Sequence, residues 1–174
     1  MPRSLLLLPL VVCAACRPAP DTFAPPPQRA PLTTPPPTPF GYFLSMSDPN
    51  AGAYLVQDVA DHGAETWRWA FAHPVLRFWV PEFPRLRLTL DYSLPERTFR
   101  ETGPVTLTIR INGQLLDRHR SDSSGEQHYA HDVPAAMIRP NAVNLVAIDP
   151  DPVWVAPSDR ARLGFILSRA GFTE

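Results

Sequence analysis

The chain has no lysine. All 16 of its basic residues are arginine, against 17 carboxylates, for a formal charge of -1 over 174 residues. That balance gives no bulk attraction to nucleic acid, and no nucleic-acid partner is expected. With Pro and Ala abundant, the missing lysine reads as the coding bias of a GC-rich genome rather than as chemistry. Cysteine is nearly as scarce: Cys13 and Cys16 are the two present, so residues 17–174 hold neither a disulfide nor a thiol nucleophile. No apolar run reaches the roughly 20 residues of a membrane-spanning helix. Also missing are a G-x-S-x-G elbow, a helix-borne zinc pair and any alternation of long helices with strands. These absences argue against a serine hydrolase, a zinc peptidase and a nucleotide-binding α/β fold, and no enzyme is expected.

The N-terminus carries an address. Arg3 supplies a positive charge, residues 5–12 run apolar around Pro9, and Cys13-Ala14-Ala15-Cys16 closes the segment. A basic start, a short apolar stretch and small residues at the exit make a secretory signal peptide, here residues 1–15. Pro9 and the lack of an amphipathic period argue against a buried helix. Ala14-Ala15-Cys16 resembles the lipobox of bacterial lipoproteins, with Cys13 where that motif usually carries Leu. The resemblance implies that Cys16 is acylated and becomes the new N-terminus, which anchors the chain to a membrane of the bacterial cell envelope. Arg17 follows, not the Asp that retains lipoproteins at the inner membrane, so outer-membrane or surface display is favoured. Secretion after a cut near Ala15 is the alternative.

Residues 16–40 then form the anchor cysteine and a proline-rich linker. Proline removes backbone donors and fixes φ, so neither helix nor interior strand is expected there. Such a chain stays unfolded as extended polyproline II, at about 3.1 Å per residue a spacer of roughly 70 Å. A ligand for a proline-recognising partner is the other reading.

Residues 41–174 read as one all-β domain, long enough to bury about two-thirds of its unfolded surface. Apolar residues alternate with period two at Trp67, Trp69 and Phe71, again at Leu86, Leu88, Leu90 and Tyr92, and at Val105, Leu107, Ile109 and Ile111. Val143, Leu145 and Ala147 alternate with Asn144 and Val146, residues 75–80 are near-continuously apolar, and residues 163–168 form the last strand. Asn112-Gly113 predicts a tight hairpin from which Gln114 pairs back. Tyr129 and Val133 mark a strand after the polar loop of residues 121–125. One short helical turn is expected, at residues 135–138. Many short strands spaced by turns give a two-sheet antiparallel sandwich.

The stretch from Val105 to Ile148, with its Asn-Gly strand end, edge hairpin, Val133-Pro134 entry, helical turn and N-x-v-x-v strand, resembles the galactose-binding-like jelly-roll sandwich. The segment WVAPSDRARLGFIL is similar to the C-terminal signature of such sandwiches, with Asp159, Arg162, Leu163 and Gly164 at its D-x-x-R-L-G positions. The resemblance implies a fold that binds sugars, binds proteins or accompanies a catalytic domain, without transferase activity of its own. It also implies that a structural calcium is admissible, for which the acidic loops at residues 47–50 and 149–151 supply oxygen donors. Turn chemistry explains both loops equally well.

Few residues point to chemistry. His128 and Asp132 share a strand face while His131 points the other way, so the two histidines do not converge on one metal ion. The cluster reads as a polar face, with Arg118 and His119 opposite on a neighbouring strand. Glu65, Glu82, Glu96 and Glu101 lie in no motif, nor do Ser121, Ser123, Ser124 and Ser158 beside the five histidines. Aromatics are the stronger signal: Trp67, Trp69, Trp79 and Trp154 with Tyr42, Tyr54 and Tyr92 include candidates for stacking on sugar rings. Trp67, Trp69 and Phe71, on one strand face, read as core. Trp154, in a proline-flanked loop, is the preferred platform, or else a plug at one end of the sandwich. Asp159 with Arg160 or Arg162 reads as a pair closing that loop, and all three are candidate ligand contacts. The expected function is a non-catalytic, surface-anchored module that binds envelope or extracellular carbohydrate; the alternative is an assembly lipoprotein that holds an envelope protein partner. In a bacterial host the full chain should incorporate labelled palmitate, and Cys16→Ser should lose the label. Label kept by Cys16→Ser but lost in Cys13→Ser would move the anchor, and no label at all would leave simple secretion.

Overall fold

Each strand predicted from period-two patterning has one face to bury, and the architecture follows from covering those faces. The structure, a computed structural model, describes residues 40–61 and 65–174. The expected signal peptide, Cys16 and the linker up to residue 39 lie outside the described residues. In chain order the strands are β1 (Phe43–Ser45), β2 (Leu55–Val59), β3 (Arg68–Val80), β4 (Arg87–Leu94), β5 (Val105–Ile111), β6 (Gln114–Ser121), β7 (Gly125–Asp132), β8 (Ala142–Asp151), β9 (Trp154–Val155), β10 (Arg162–Leu163) and β11 (Phe165–Thr173). Helix α1 (Glu96–Thr102) links β4 to β5, and 3-10 turns occupy Ala51–Tyr54 and Ala135–Met137.

Nine strands are joined in the order β6-β5-β8-β3-β11-β4-β7, with β2 beside β3 and β1 beside β11. Every ladder is antiparallel. At the β3–β11 step the ladder folds over into two layers, β2-β3-β8-β5-β6 and β1-β11-β4-β7, whose apolar faces meet. The chain crosses between layers from β1 to β2, β3 to β4, β4 to β5, β6 to β7, β7 to β8 and, through the β9–β10 ribbon, from β8 to β11. The protein is an all-β, two-layer antiparallel jelly-roll sandwich. Leu107, Ile109 and Ile111 of β5 and Leu88, Leu90 and Tyr92 of β4 are fully buried. Phe78 meets Phe172 edge-on at 5.6 Å, and Tyr92 meets Phe165 at 5.5 Å.

The predicted hairpin is present: Ile111 pairs with Gln114, and both turn residues are left-handed, Asn112 at φ 50° and Gly113 at φ 84°. The Asn112 side chain does more than turn the chain. Its Nδ2 donates to Met137 O and to Asn144 Oδ1, both at 2.8 Å, and its Oδ1 accepts from the Leu145 amide at 3.1 Å. Asn144 is completely buried, and it also donates to Arg139 O and Ala142 O and accepts from the Arg139 amide. A buried amide with all its partners in place is tolerated in a core and fixes its register.

Several expectations change. Asn144, Val146 and Ile148 face the core, while Val143 and Leu145 are 41% and 43% exposed, because the satisfied Asn144 takes the inner position that an apolar residue was expected to hold. The two runs at residues 67–71 and 75–80 are one strand, β3. Pro74 sits inside it where the ladder with β11 ends at Ala70 and the ladder with β8 begins at Val75, so its missing donor breaks no bond. The last strand runs on past residue 168 through an irregularity between Leu167 and Arg169. β7 pairs with β4, not β6, which sets His128 Nδ1 against Asp91 Oδ1 at 2.6 Å. His119 instead meets the Tyr129 ring at 5.1 Å across the gap between layers.

Two close contacts have measurable consequences. The Gly164 amide donates to Ala70 O at 2.9 Å, and a Cβ there would sit 2.6 Å from both Phe71 O and Pro150 Cγ. Gly164→Ala should destabilise the sandwich by about 1–3 kcal/mol in urea unfolding, the range for forcing atoms into a filled core. At the β6–β7 mouth, Tyr92 Oη and Ser121 Oγ bond at 2.6 Å, whereas the buried Tyr129 hydroxyl, near the Asp117 carboxylate, makes no well-formed hydrogen bond among the described residues. Burial first, then the neighbouring Asp117 carboxylate, pushes the Tyr129 phenol above its ordinary 10.0. With the folded-state value above the unfolded one, stability from the neutral phenol is intact below pH 10.0 and is lost as the pH rises beyond it. Tyr129→Phe should therefore unfold at the same or a higher urea concentration at neutral pH and lose less stability under alkaline conditions. An unpartnered hydroxyl leaving the interior is worth roughly 1–3 kcal/mol at most.

Candidate functional site

The period-two rule assigns opposite faces of β3 to alternate residues but does not say which face is inside. Ala70 and Ala72 are buried, and Trp67, Trp69 and Phe71 are only half-buried. The expectation that these three form core is therefore corrected: small alanines let β3 lie close to β11, and the large rings are turned to the outside. Trp69 is opposite Ile166 in the ladder, and Ala70 is opposite Phe165.

Beside these rings stands a small ribbon in which Trp154 of β9 pairs with Leu163 of β10 and Val155 with Arg162. Its connection closes on itself through the Ala156 amide to Ala161 O and the Arg160 amide to Ala156 O, both 2.9 Å, with Arg160 left-handed at φ 62°. Asp159 Oδ1 accepts from the Ala161 amide at 3.0 Å. None of the ion pairs among the described residues involves Asp159, Arg160 or Arg162. The expected Asp–Arg pair is thus replaced by a carboxylate capping its own turn, the shorter-range solution for an Asp two residues before a free amide.

Trp69, Phe71, Trp154, Leu163 and Asp159, with Ser158, Pro157 and Arg97, line one open groove of about 660 Å³. Trp154 is half-buried, and its indole Nε1–H donates to Glu101 Oε2 at 2.5 Å. The Arg97 guanidinium lies over the same ring, 5.9 Å from its centre. Of the candidate ligand contacts, Trp154 and Asp159 line the groove, whereas Arg160 and Arg162 are exposed and do not. Trp79 is half-buried elsewhere on β3, Tyr54 and Tyr92 are core, and Tyr42 packs edge-on against Phe83 at 5.3 Å.

Arg97 and Glu101 were not singled out by sequence, and neither was α1. A signal was available: Pro95 before a stretch that opens on Glu96, and Gly103 at its end, which is helix start-and-stop grammar. The helix is a single short crossover of seven residues, too brief for an amphipathic period to show.

Two further concavities lie around Phe83. One, of about 450 Å³, includes Arg85, Arg87 and Asp132. Arg87 donates to Asp132 Oδ1 at 2.8 Å, and this bond, then the Arg87 charge, holds the Asp132 carboxyl below its usual range. The other, of about 490 Å³, is an apolar groove with Thr173 and Glu174 as its polar liners.

The loops considered for calcium do not fit the ion. Asp48 Oδ1 is taken by the Asn50 amide at 2.7 Å, and Asp149 is held between Arg110 and His73, the latter at 3.2 Å. The Arg110 guanidinium on the second loop opposes a cation, and turn chemistry accounts for the first. Among the described residues no three His, Cys, Asp or Glu side chains converge for a metal.

Comparison with protein-family models finds no match, and comparison with curated proteins finds none. Among solved structures the chain is similar to a family GH115 4-O-methyl-alpha-glucuronidase with specificity for decorated arabinogalactans, at 10% identity over 62% of this chain and 14% of that one, with a TM-score of 0.43. It is similar to an exo-beta-1,3-galactanase from Phanerochaete chrysosporium at 7% identity over 77% and 29%, TM-score 0.48. It is also similar to a family 35 carbohydrate binding module from an environmental isolate at 9% identity over 76% and 93%, TM-score 0.49. The chain spans less than a third of the first two proteins and nearly the whole of the third.

Proposed function

We propose that the protein is a non-catalytic carbohydrate-binding module of galactose-binding-like type, displayed on the bacterial cell envelope by a lipid on Cys16 and a proline spacer. The observation that carries this reading is the groove in which Trp69, Phe71 and Trp154 stay half-buried while alanines fill the core behind β3. Pyranose rings present flat C–H faces that stack on aromatic side chains, and ring hydroxyls need donors and acceptors at the rim. Arg97, Ser158 and Asp159 supply both kinds around those rings. The anchor and spacer rest on residues 1–40 and place this groove where envelope or extracellular glycan is met.

One observation favours a second reading. Val143 and Leu145 stand exposed on the outer face of β8, opposite Trp79 and Arg77 of β3. An exposed apolar sheet face of this kind suits a protein partner in envelope assembly.

The two readings separate in one set of measurements. The chain from residue 17 onward should bind saturably on a glycan array and to purified envelope polysaccharide. Trp154→Ala and Trp69→Ala should each weaken binding roughly tenfold or more, about 1.4 kcal/mol, with the circular dichroism spectrum unchanged. Leu145→Glu should leave glycan binding intact. If no glycan binds, and Leu145→Glu instead abolishes crosslinking to an envelope protein, the carbohydrate reading is wrong.

A further inference from the structure

Trp154 lies on a two-residue strand whose ladder to β10 has two pairs. Such a ribbon fixes the backbone but exerts little hold on a large side chain above it. The hold comes from α1, which packs on β9. Its charges are sorted in an informative way. Glu96 and Arg100, four apart, pair with each other at 2.6 Å. Arg97 and Glu101 have the same spacing yet make no ion pair with one another, and both turn to Trp154 instead: the carboxylate takes the indole N–H and the guanidinium covers the ring.

We infer that α1 is part of the binding site, with Glu101 a positioning residue that holds Trp154 as a stacking surface. This rests on the carbohydrate reading and adds to it how Trp154 takes part. Its only donor is spent on Glu101, and one ring face is covered by Arg97, so it offers a ligand its remaining face and no hydrogen bond. Hydroxyl recognition falls to the other rim groups. Both α1 side chains are exposed, and the buried residue of the helix is Thr98, so removing either charge does not open the core.

The test follows the indole N–H resonances of the protein by NMR, with Trp154 assigned from Trp154→Phe, and titrates cellohexaose, xylohexaose and galactotriose into each variant. Glu101→Ala should move the Trp154 indole resonance while the other indoles stay in place, and should weaken binding of whichever oligosaccharide the wild type binds by roughly tenfold. Glu101→Gln keeps an acceptor oxygen and should restore most of both effects, which a merely structural role would not require. An unmoved Trp154 resonance in Glu101→Ala overturns the inference. So does unchanged affinity despite a moved resonance, or a Gln variant that behaves as Ala. If the wild type binds none of the three sugars, nor any array glycan, the carbohydrate reading falls; the indole shift alone then decides whether α1 holds Trp154.

Discussion

The close approach of Gly164 to β3 is the constraint on which the rest of the molecule depends. A hydrogen atom is all that fits between this residue and the carbonyl of Phe71. The contact lies at the step where the ladder passes from one layer to the other, since Phe165 follows directly and pairs with Ala70. The same contact seats the β9–β10 ribbon, because Leu163 immediately precedes the glycine and pairs with Trp154. Fold closure and groove geometry are therefore settled by one short stretch of backbone.

Around that stretch, polar groups divide between those that define the fold and those left at the open rim of the groove. Asn112 and Asn144 use their amide groups on each other and on nearby backbone, joining the β5–β6 hairpin to β8 and to the turn that precedes it. A buried polar pair of this kind adds little net stability but penalises other registers heavily, because any slip leaves its groups unpaired. Arg97 and Asp159, by contrast, sit at an open rim. Arg97 has no ion-pair partner among the described residues, and Asp159 spends one oxygen on its own turn.

Much of the architecture was legible. The alternation in β4 and β5 identified both strands and their inner faces, since the intervening residues there are Thr, Arg, Asp and Ser, which favour water. The Asn112-Gly113 turn was legible because few residues accept two successive left-handed conformations. β3 was not, because both of its faces carry residues that a core accepts. Trp69 and Phe71 outrank Ala70 and Ala72 in hydrophobicity, yet the alanines are inside. A two-layer sandwich needs thin residues where strands cross between layers, and that requirement is invisible along one strand. In β8 the same ambiguity was broken in favour of a polar residue, because Asn144 finds partners both on the adjoining backbone of Arg139 and Ala142 and on Asn112, 32 residues away in sequence.

The groove was half legible. Trp154 stood out by its proline-flanked setting, and Asp159 by the motif around it. Glu101 and Arg97 lie more than fifty residues earlier, in a helix of two turns, and nothing local in the sequence joins them to an indole. By itself, then, the sequence determined an all-β chain of short strands and the central hairpin. Only the tertiary structure decided which face of β3 meets water, that β7 crosses to β4 rather than pairing with β6, and that α1 closes on Trp154. The physical reason is the same in each case: periodicity reports that a residue has a face, whereas burial of that face depends on what other strands bring against it.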